Sequence, residues 1–163
     1  MKKLLLSTAA IAAMGMFAGS AQAGSSSTAT ASASATVVEP IVATNTQSMS
    51  FGAFAVNGTG SVTTGGTYTN TVRVPNSSDS PAHAIFSITG ADGFAYTLTS
   101  HPASVAFTTT ATGTGTDTMS ADLTYVNGTT LDDTITVSGD LGVADNQIPG
   151  VYNGSFDITV AYN

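Results

Sequence analysis

The sequence contains no cysteine and only three lysine or arginine residues among 163 positions. The absence of cysteine excludes disulfide bonds, thiol catalysis and cysteine-ligated metal sites. Stability must therefore come from burial of apolar side chains, from a binding partner, or from both. The scarcity of basic residues argues against nucleic-acid binding, because that binding depends on lysine and arginine at the phosphates.

Long apolar runs are also scarce, and the one that is present lies at the start of the chain. Two lysines precede an apolar stretch at residues 4–18, and Ala21 and Ala23 supply a small-residue cleavage site before Gly24. We predict that residues 1–23 are a secretory signal peptide that directs export through a bacterial inner membrane, to the periplasm and then to the cell surface or medium. A membrane-spanning helix is the alternative, but it needs about twenty apolar residues. No second run of that length follows, so no membrane span is expected after signal removal.

Removal of this signal leaves a single basic residue, Arg73, against ten acidic residues, which is a formal charge of −9. Such a surface repels nucleic acid and anionic membranes. The remaining length predicts one domain, but its stock of bulky apolar residues is modest. Ordering costs about 1–2 kcal/mol of backbone entropy per residue, so a strand supplied by a neighbour would add needed stability.

Residues 24–35 form a Ser/Thr/Ala-rich extension with a period of two. The small apolar side chains occupy odd-numbered positions, namely Ala29, Ala31, Ala33, Ala35 and Val37. Three interpretations remain open: a flexible leader, the start of the first strand, or a donor strand that pairs with the sheet edge of a neighbouring subunit. Alanine side chains fill a groove only weakly, which counts against the third.

Residues 36–163 show strand-sized alternations separated by turn signals, without helical periodicity or an internal repeat. We predict an all-β domain, an immunoglobulin-like antiparallel β-sandwich, with a barrel as the alternative. Asn57-Gly58 and Gly65-Gly66 are predicted to be tight turns, and residues 90–93 the turn of a hairpin.

The clearest predicted strand is the last one, which should begin near Val151 after the Pro149-Gly150 turn. Successive strand residues point to opposite faces, so its alternation predicts one apolar and one polar face. The apolar face carries Phe156, Ile158, Val160 and Tyr162. Since no residue follows Asn163, no later strand of this sequence is expected beside it.

This stretch resembles the C-terminal motif of chaperone–usher pilus subunits, which has a glycine fourteenth from the end, a penultimate tyrosine and alternating apolar residues between them. Gly150 and Tyr162 occupy those two positions. Residues 150–156 also resemble secreted bacterial domains similar to spore coat protein U. A family labelled only as a domain of unknown function is similar over residues 36–163, through the C-terminal stretch and the pieces Val38-Glu39-Pro40, Phe51-Gly52, Ile88-Thr89-Gly90 and Leu141-Gly142-Val143.

The resemblance implies a structural subunit of a bacterial surface fibre, with a sandwich that is completed by strand donation. Its implied partners are neighbouring subunits of the same or a similar kind and a periplasmic chaperone, which would bind the strand that follows Gly150. A self-complete secreted binding module, an adhesin or carbohydrate binder, is the alternative. The two differ in whether the sheet beside the last strand is complete within one chain.

Few residues suggest catalysis. His83 and His101 are the only histidines, and no Gly-x-Ser-x-Gly motif accompanies them, so we expect both at surface or strand-edge positions. Asp132-Asp133 is the obvious pair for carboxylate chemistry, but a solvated turn is expected there. We predict that the protein is not an enzyme.

No cofactor or metal is predicted either. Asp132-Asp133 and an expected loop at residues 140–145 offer oxygen atoms to calcium, but no Asp-x-Asp-x-Asp-Gly loop is present. Gly113-Thr114-Gly115 lacks the following helix that a phosphate site needs. An exposed aromatic pair could form a sugar-binding face, and its candidates are Phe54, Phe94 and Tyr96.

Overall fold

The computed structural model describes residues 24–74, 79–128 and 133–163. The chain separates into two units, Met1–Thr36 and Val37–Asn163. In the first unit, the described residues carry no helix or strand, and every one of them is exposed.

The second unit is built from β-strands. They are β1 (Val42–Gln47), β2 (Phe54–Thr63), β3 (Tyr68–Arg73), β4 (Ala84–Thr89), β5 (Tyr96–Ser100), β6 (Ser104–Thr108), β7 (Thr118–Val126), β8 (Thr134–Val143) and β9 (Thr159–Tyr162). Within the described ranges, no helix has the length and apolar character needed to cross a membrane.

The strands form a seven-stranded sheet and a two-stranded sheet, in which all strand pairs are antiparallel. In the large sheet, β8 is central: β4 and β2 pair with successive halves of one edge, and β7 pairs with the other. β1 extends the sheet beyond β4, β3 extends it beyond β2, and β6 extends it beyond β7. The small sheet consists of β5 and β9. Both sheets remain open, so the predicted all-β sandwich is confirmed and the barrel is wrong.

The core contains two clusters of apolar side chains. The first gathers around Val62, Met119 and Leu141, and the second around Ile88 and Ile135. Alternate residues of β8 are buried, because successive side chains point to opposite faces of the sheet. Each buried aliphatic side chain contributes about 1.5–3 kcal/mol, so these clusters provide the main driving force for folding.

The predicted turn at Gly65-Gly66 is confirmed, whereas the one at Asn57-Gly58 is wrong. The N–H of Gly66, at φ 82°, donates to the carbonyl of Thr63 as the chain passes from β2 to β3. β2 instead runs straight through Asn57-Gly58. The four residues between Val56 and Ser61 face Asn70 alone, so Gly58 lies in an irregular bulge rather than a turn.

Residues 90–93 reverse the chain but do not form a hairpin. β4 pairs with β1 and β8, while β5 pairs with β9. The turn therefore carries the chain from one sheet to the other. Ile88 and Tyr96, on its two sides, both become buried in the second cluster, and this shared burial outweighs local pairing.

Candidate functional site

The predicted last strand is paired only near its two ends. Asn153 and Thr108 exchange two backbone hydrogen bonds, of 2.9 and 3.0 Å, and Thr159 pairs with Ser100 where β9 begins. Residues 154–158 join no ladder. Seven residues, 101–107, face these five, because β5 and β6 belong to different sheets and the chain turns a corner between them. A regular ladder cannot span unequal lengths, so the strand begins later than predicted.

The apolar face of this segment packs against the protein's own core. Phe156, Ile158 and Val160 are half-buried against the second cluster. Phe156 also contacts the first cluster, and its ring meets that of Phe86 edge to face with centroids 6.0 Å apart. These three apolar side chains are therefore partly covered within one chain, whereas the polar side chains of Ser155, Asp157 and Thr159 are exposed.

Tyr162 connects the end of β9 to the segment before β1 and to the turn after β4. Its hydroxyl accepts a hydrogen bond from the Ala91 N–H and donates one to the Glu39 carbonyl, both at 2.7 Å. The ring of Phe94 meets its ring edge to face at 5.8 Å. A Cβ at Gly90 would clash with the Tyr162 hydroxyl, so the predicted motif tyrosine depends on a glycine in the preceding turn.

Gly150 lies where the chain passes close to another loop. A Cβ there would lie 2.8 Å from both Thr109 Oγ1 and Ala111 Cβ, so a larger residue would force the loops apart. Nearby Tyr152, which sequence reasoning missed, packs against the first cluster, and its hydroxyl donates to the Ile148 carbonyl at 2.7 Å. The inward orientation of Tyr152 was hard to predict, because its neighbour Val151 is also apolar and the alternation becomes regular only after residue 154.

The backbone of residues 154–162 has an open edge on the side that faces away from β5 and β6. Asn153 bonds to Thr108 and the Asn163 N–H donates to Ala95 at 3.1 Å, so odd-numbered residues turn their backbone groups toward β5 and β6. Even-numbered residues turn theirs to the opposite side, where β9 has no strand partner in the described parts of the chain. β1 runs beside β9 and pairs with β4 alone. One side of the sandwich therefore presents two strand edges.

The predicted donor residues are all accessible. Ala29, Ala31, Ala33, Ala35 and Val37 are exposed and belong to no strand. Gly24 is exposed too, whereas Ala21 and Ala23 lie outside the described residues. The predicted alternation of the leader is therefore not used for pairing within its own chain.

The two histidines occupy different environments. His101 is exposed, and its ring lies 4.3 Å from that of Tyr125, whose hydroxyl donates to the Pro102 carbonyl at 2.8 Å. His83 is half-buried, and its Nδ1 lies 2.9 Å from the hydroxyl of buried Thr64. Burial raises the pKa of the Tyr125 phenol.

The acidic candidates are dispersed. Asp132 lies outside the described residues. Burial raises the pKa of Tyr96, and the negative charge of Asp133, just before β8, raises it further. The loop expected at residues 140–145 is wrong at its start, because β8 continues to Val143 as one strand. Among the described residues, no three acidic or histidine side chains are grouped to hold a metal ion.

The predicted aromatic sugar face does not form. Tyr96 is buried in the second cluster and Phe54 packs against the first, because both follow the inward parity of their strands. Only Phe94 is exposed, at 46%, and it packs against Tyr162. An accessible aromatic pair is therefore absent from these three positions.

Comparison with known proteins identifies a family. The family described as Domain of unknown function (DUF4402) matches residues 41–162. This interval contains all nine strands, the open edge and Tyr162. No curated protein and no solved structure matches the chain significantly. The expected similarity to a family of unknown function is thus confirmed, and the chain belongs to the DUF4402 family.

Proposed function

We propose that this domain is a structural subunit of a bacterial surface fibre, fimbria-like or pilus-like, that assembles by β-strand complementation after export. The observation that carries the proposal is the open backbone edge of residues 154–162. The resemblance of this stretch to pilus subunits and spore coat protein U domains supports it, as does the predicted signal peptide.

An unpaired edge is a template for another strand. Monomeric proteins commonly protect such edges with charges or proline, yet residues 154–162 contain no proline and a single charge, Asp157. Asp157 has the odd parity, so its backbone groups point away from the open edge. The edge is thus chemically suited to accept a strand.

The leader, Ser25–Ala35, is the donor that best fits this edge. Because Phe156, Ile158 and Val160 already pack inward, a donor must supply backbone hydrogen bonds rather than bulky side chains. The small residues of the leader then cease to be a disadvantage. Each hydrogen bond contributes about 0.5–1.5 kcal/mol, against about 1–2 kcal/mol to order each residue, so backbone pairing alone gives little net gain and we expect assembly only at high protein concentration.

A leader placed on the edge of the next copy makes a heterologous contact. Such contacts do not close on themselves and therefore propagate a fibre. A periplasmic chaperone would cover the same edge before assembly, by adding its own strand. Neighbouring subunits and a chaperone are accordingly the proposed partners, and the proposed locations are the periplasm and then the cell surface.

Proline substitutions in the leader test the proposal without changing its length. In the mature protein, Ala31→Pro with Ala33→Pro should abolish polymers, because proline removes the N–H donors and blocks a ladder. Ala31→Val with Ala33→Val, the matched control, should retain them. Sedimentation and electron microscopy report assembly, and the melting temperature checks folding.

Two results would reject strand donation by the leader. One is fibre formation by the proline variant at the concentration at which the control assembles. The other is a control that remains monomeric at every concentration. The self-complete secreted binding module would then become the better function.

A further inference from the structure

The corner between β5 and β6 leaves a pocket beside the last segment. We define the corner pocket by residues 100–108 on one wall and 153–157 on the other; its volume is about 720 Å³. It is closed at one end by the Thr108–Asn153 bridge and at the other by the β5–β9 ladder. A through-running strand cannot lie in it, so the pocket is distinct from the open edge and does not rest on the proposed function.

Polar groups converge on the corner pocket from both walls. Its polar lining residues are Ser100, His101, Ser104, Thr108, Asn153, Ser155 and Asp157. Backbone groups add to them: since Thr108 and Asn153 bond to each other, Ala106 and Ser155, two residues further along, turn their N–H and C=O groups toward the same gap. The pocket therefore offers both donors and acceptors.

The narrow end of the pocket depends on a glycine. A Cβ on Gly154 would lie 2.6 Å from the Ala106 carbonyl and 3.1 Å from the Phe107 ring. From this close approach the walls diverge toward Asp157 and His101, since seven residues face five. The widening is thus built into the unequal lengths of the two walls.

The chemistry of the lining disfavours an anionic ligand. No lysine or arginine lines the pocket, and Asp157 contributes a negative charge. A phosphate or carboxylate would lack a lysine or arginine partner there. Pro102, Val105 and Phe156 add apolar surface between the polar groups. Hydroxyls that donate and accept, on a ring with apolar C–H faces, match this combination.

We infer that the corner pocket binds a neutral saccharide. Asp157 accepts hydrogen bonds from sugar hydroxyls, Ser104 and the backbone of Ser155 pair with others, and the apolar strip contacts the ring. The volume lies within the range of about 300–1,000 Å³ usual for small-ligand sites. Because the pocket is open to solvent, the affinity of each site should be low.

Saturation-transfer NMR observed on the sugar tests this inference, because it works with monomers and with large assemblies. The probes are the neutral disaccharides lactose, maltose, cellobiose and N,N′-diacetylchitobiose, with glucuronic acid as the anionic comparison. At least one disaccharide should bind the mature protein with a dissociation constant of roughly 0.1–10 mM, as expected for a shallow site. Glucuronic acid should bind more weakly.

Two variants localise the binding. Asp157→Asn should weaken it at least about fivefold, as loss of a charged acceptor predicts, while Asp145→Asn, an exposed carboxylate outside the pocket, should leave it unchanged. Ser104→Ala is a second pocket variant and should also weaken binding. Equal melting temperatures show that each variant is folded. The inference is overturned by no saturation transfer to any of the four disaccharides, by preferred binding of glucuronic acid, or by equal affinity in the Asp157 and Asp145 variants.

Discussion

The hydroxyl of Tyr162 lies 2.7 Å from the main-chain oxygen of Glu39, although 123 positions separate the two residues in the sequence. The same hydroxyl accepts a hydrogen bond from Ala91. It therefore joins the segment before β1 and the turn after β4 to the end of β9. Tyr162→Phe should lower the free energy of unfolding by about 1–3 kcal/mol, because the Ala91 N–H loses its partner in a partly buried site. Urea denaturation measures the loss, and an unchanged midpoint would show that the joint does not contribute to stability.

Tyr96 offers the opposite case. Its side chain is 5% exposed and its hydroxyl has no hydrogen-bond partner among the residues that the structure describes, so the folded state carries the cost of burying an unsatisfied group. Tyr96→Phe should leave the free energy of unfolding unchanged or raise it, by up to about 1–3 kcal/mol. Tyr96→Phe and Tyr162→Phe form a matched pair, because both remove a phenolic oxygen but only Tyr162→Phe should lower the free energy of unfolding. A loss as large as that of the Tyr162 variant would contradict the expectation.

Alkaline stability should depend on Tyr96 and Tyr125. Burial raises the pKa of both phenols above the ordinary value of 10.0, and Asp133 raises that of Tyr96 further. Above pH 10 the unfolded chain therefore loses these protons while the folded protein retains them, so stability falls as pH rises. The double variant Tyr96→Phe/Tyr125→Phe should lose less stability between about pH 9.5 and 11. Parallel pH profiles for this variant and the parent would refute the assignment.

The two faces of the last segment should differ strongly. Phe156→Ala removes a half-buried ring that contacts both clusters, and should cost about 3 kcal/mol, the lower end of the range for buried phenylalanine. Exposed Asp157→Ala should cost less than about 0.5 kcal/mol. Denaturant midpoints compare the two, and equal losses would mean that the segment presents its faces the other way.

Asp122 and Asp140 lie directly opposite each other on β7 and β8, and both are exposed. Like charges in this arrangement repel, so Asp122→Asn should raise the free energy of unfolding by about 0.2–1 kcal/mol. The gain should shrink as salt screens the pair. Asp92→Asn, an exposed turn residue away from the pair, is the control, and an equal, salt-independent gain there would exclude cross-strand repulsion as the cause.

The sequence predicts local backbone structure well, but it predicts poorly which sheet each strand joins. The turn at Gly65-Gly66 follows from its turn residues, which act between near neighbours. The assignment of β5 to the other sheet depends on Tyr96 facing Ile88 across the core, a relation that no local pattern contains.

The site shows the same division. The inward parity of Phe156 and Ile158 can be read from their spacing, which follows the pleat of the strand. The absence of pairing at residues 154–158 cannot be predicted from the sequence, because it results from the corner that the distant residues 101–103 make between two sheets. The corner pocket was therefore invisible in the sequence, although Gly154 marked one of its ends.

The pairing of β9 with β5 also means that the second cluster can be completed only near the end of synthesis. The Thr99 hydroxyl bonds to the Thr159 carbonyl 60 positions later, and the second cluster gains Ile158 and Val160 only when that stretch exists. At about 5–20 residues per second, a ribosome needs about 3–12 s to add those 60 residues. Throughout this delay Ile88 has no cover from Ile158 and Val160, and the same holds for Ile135 once it has been added. The nascent chain therefore exposes apolar surface to aggregation and to proteases until β9 has been synthesised.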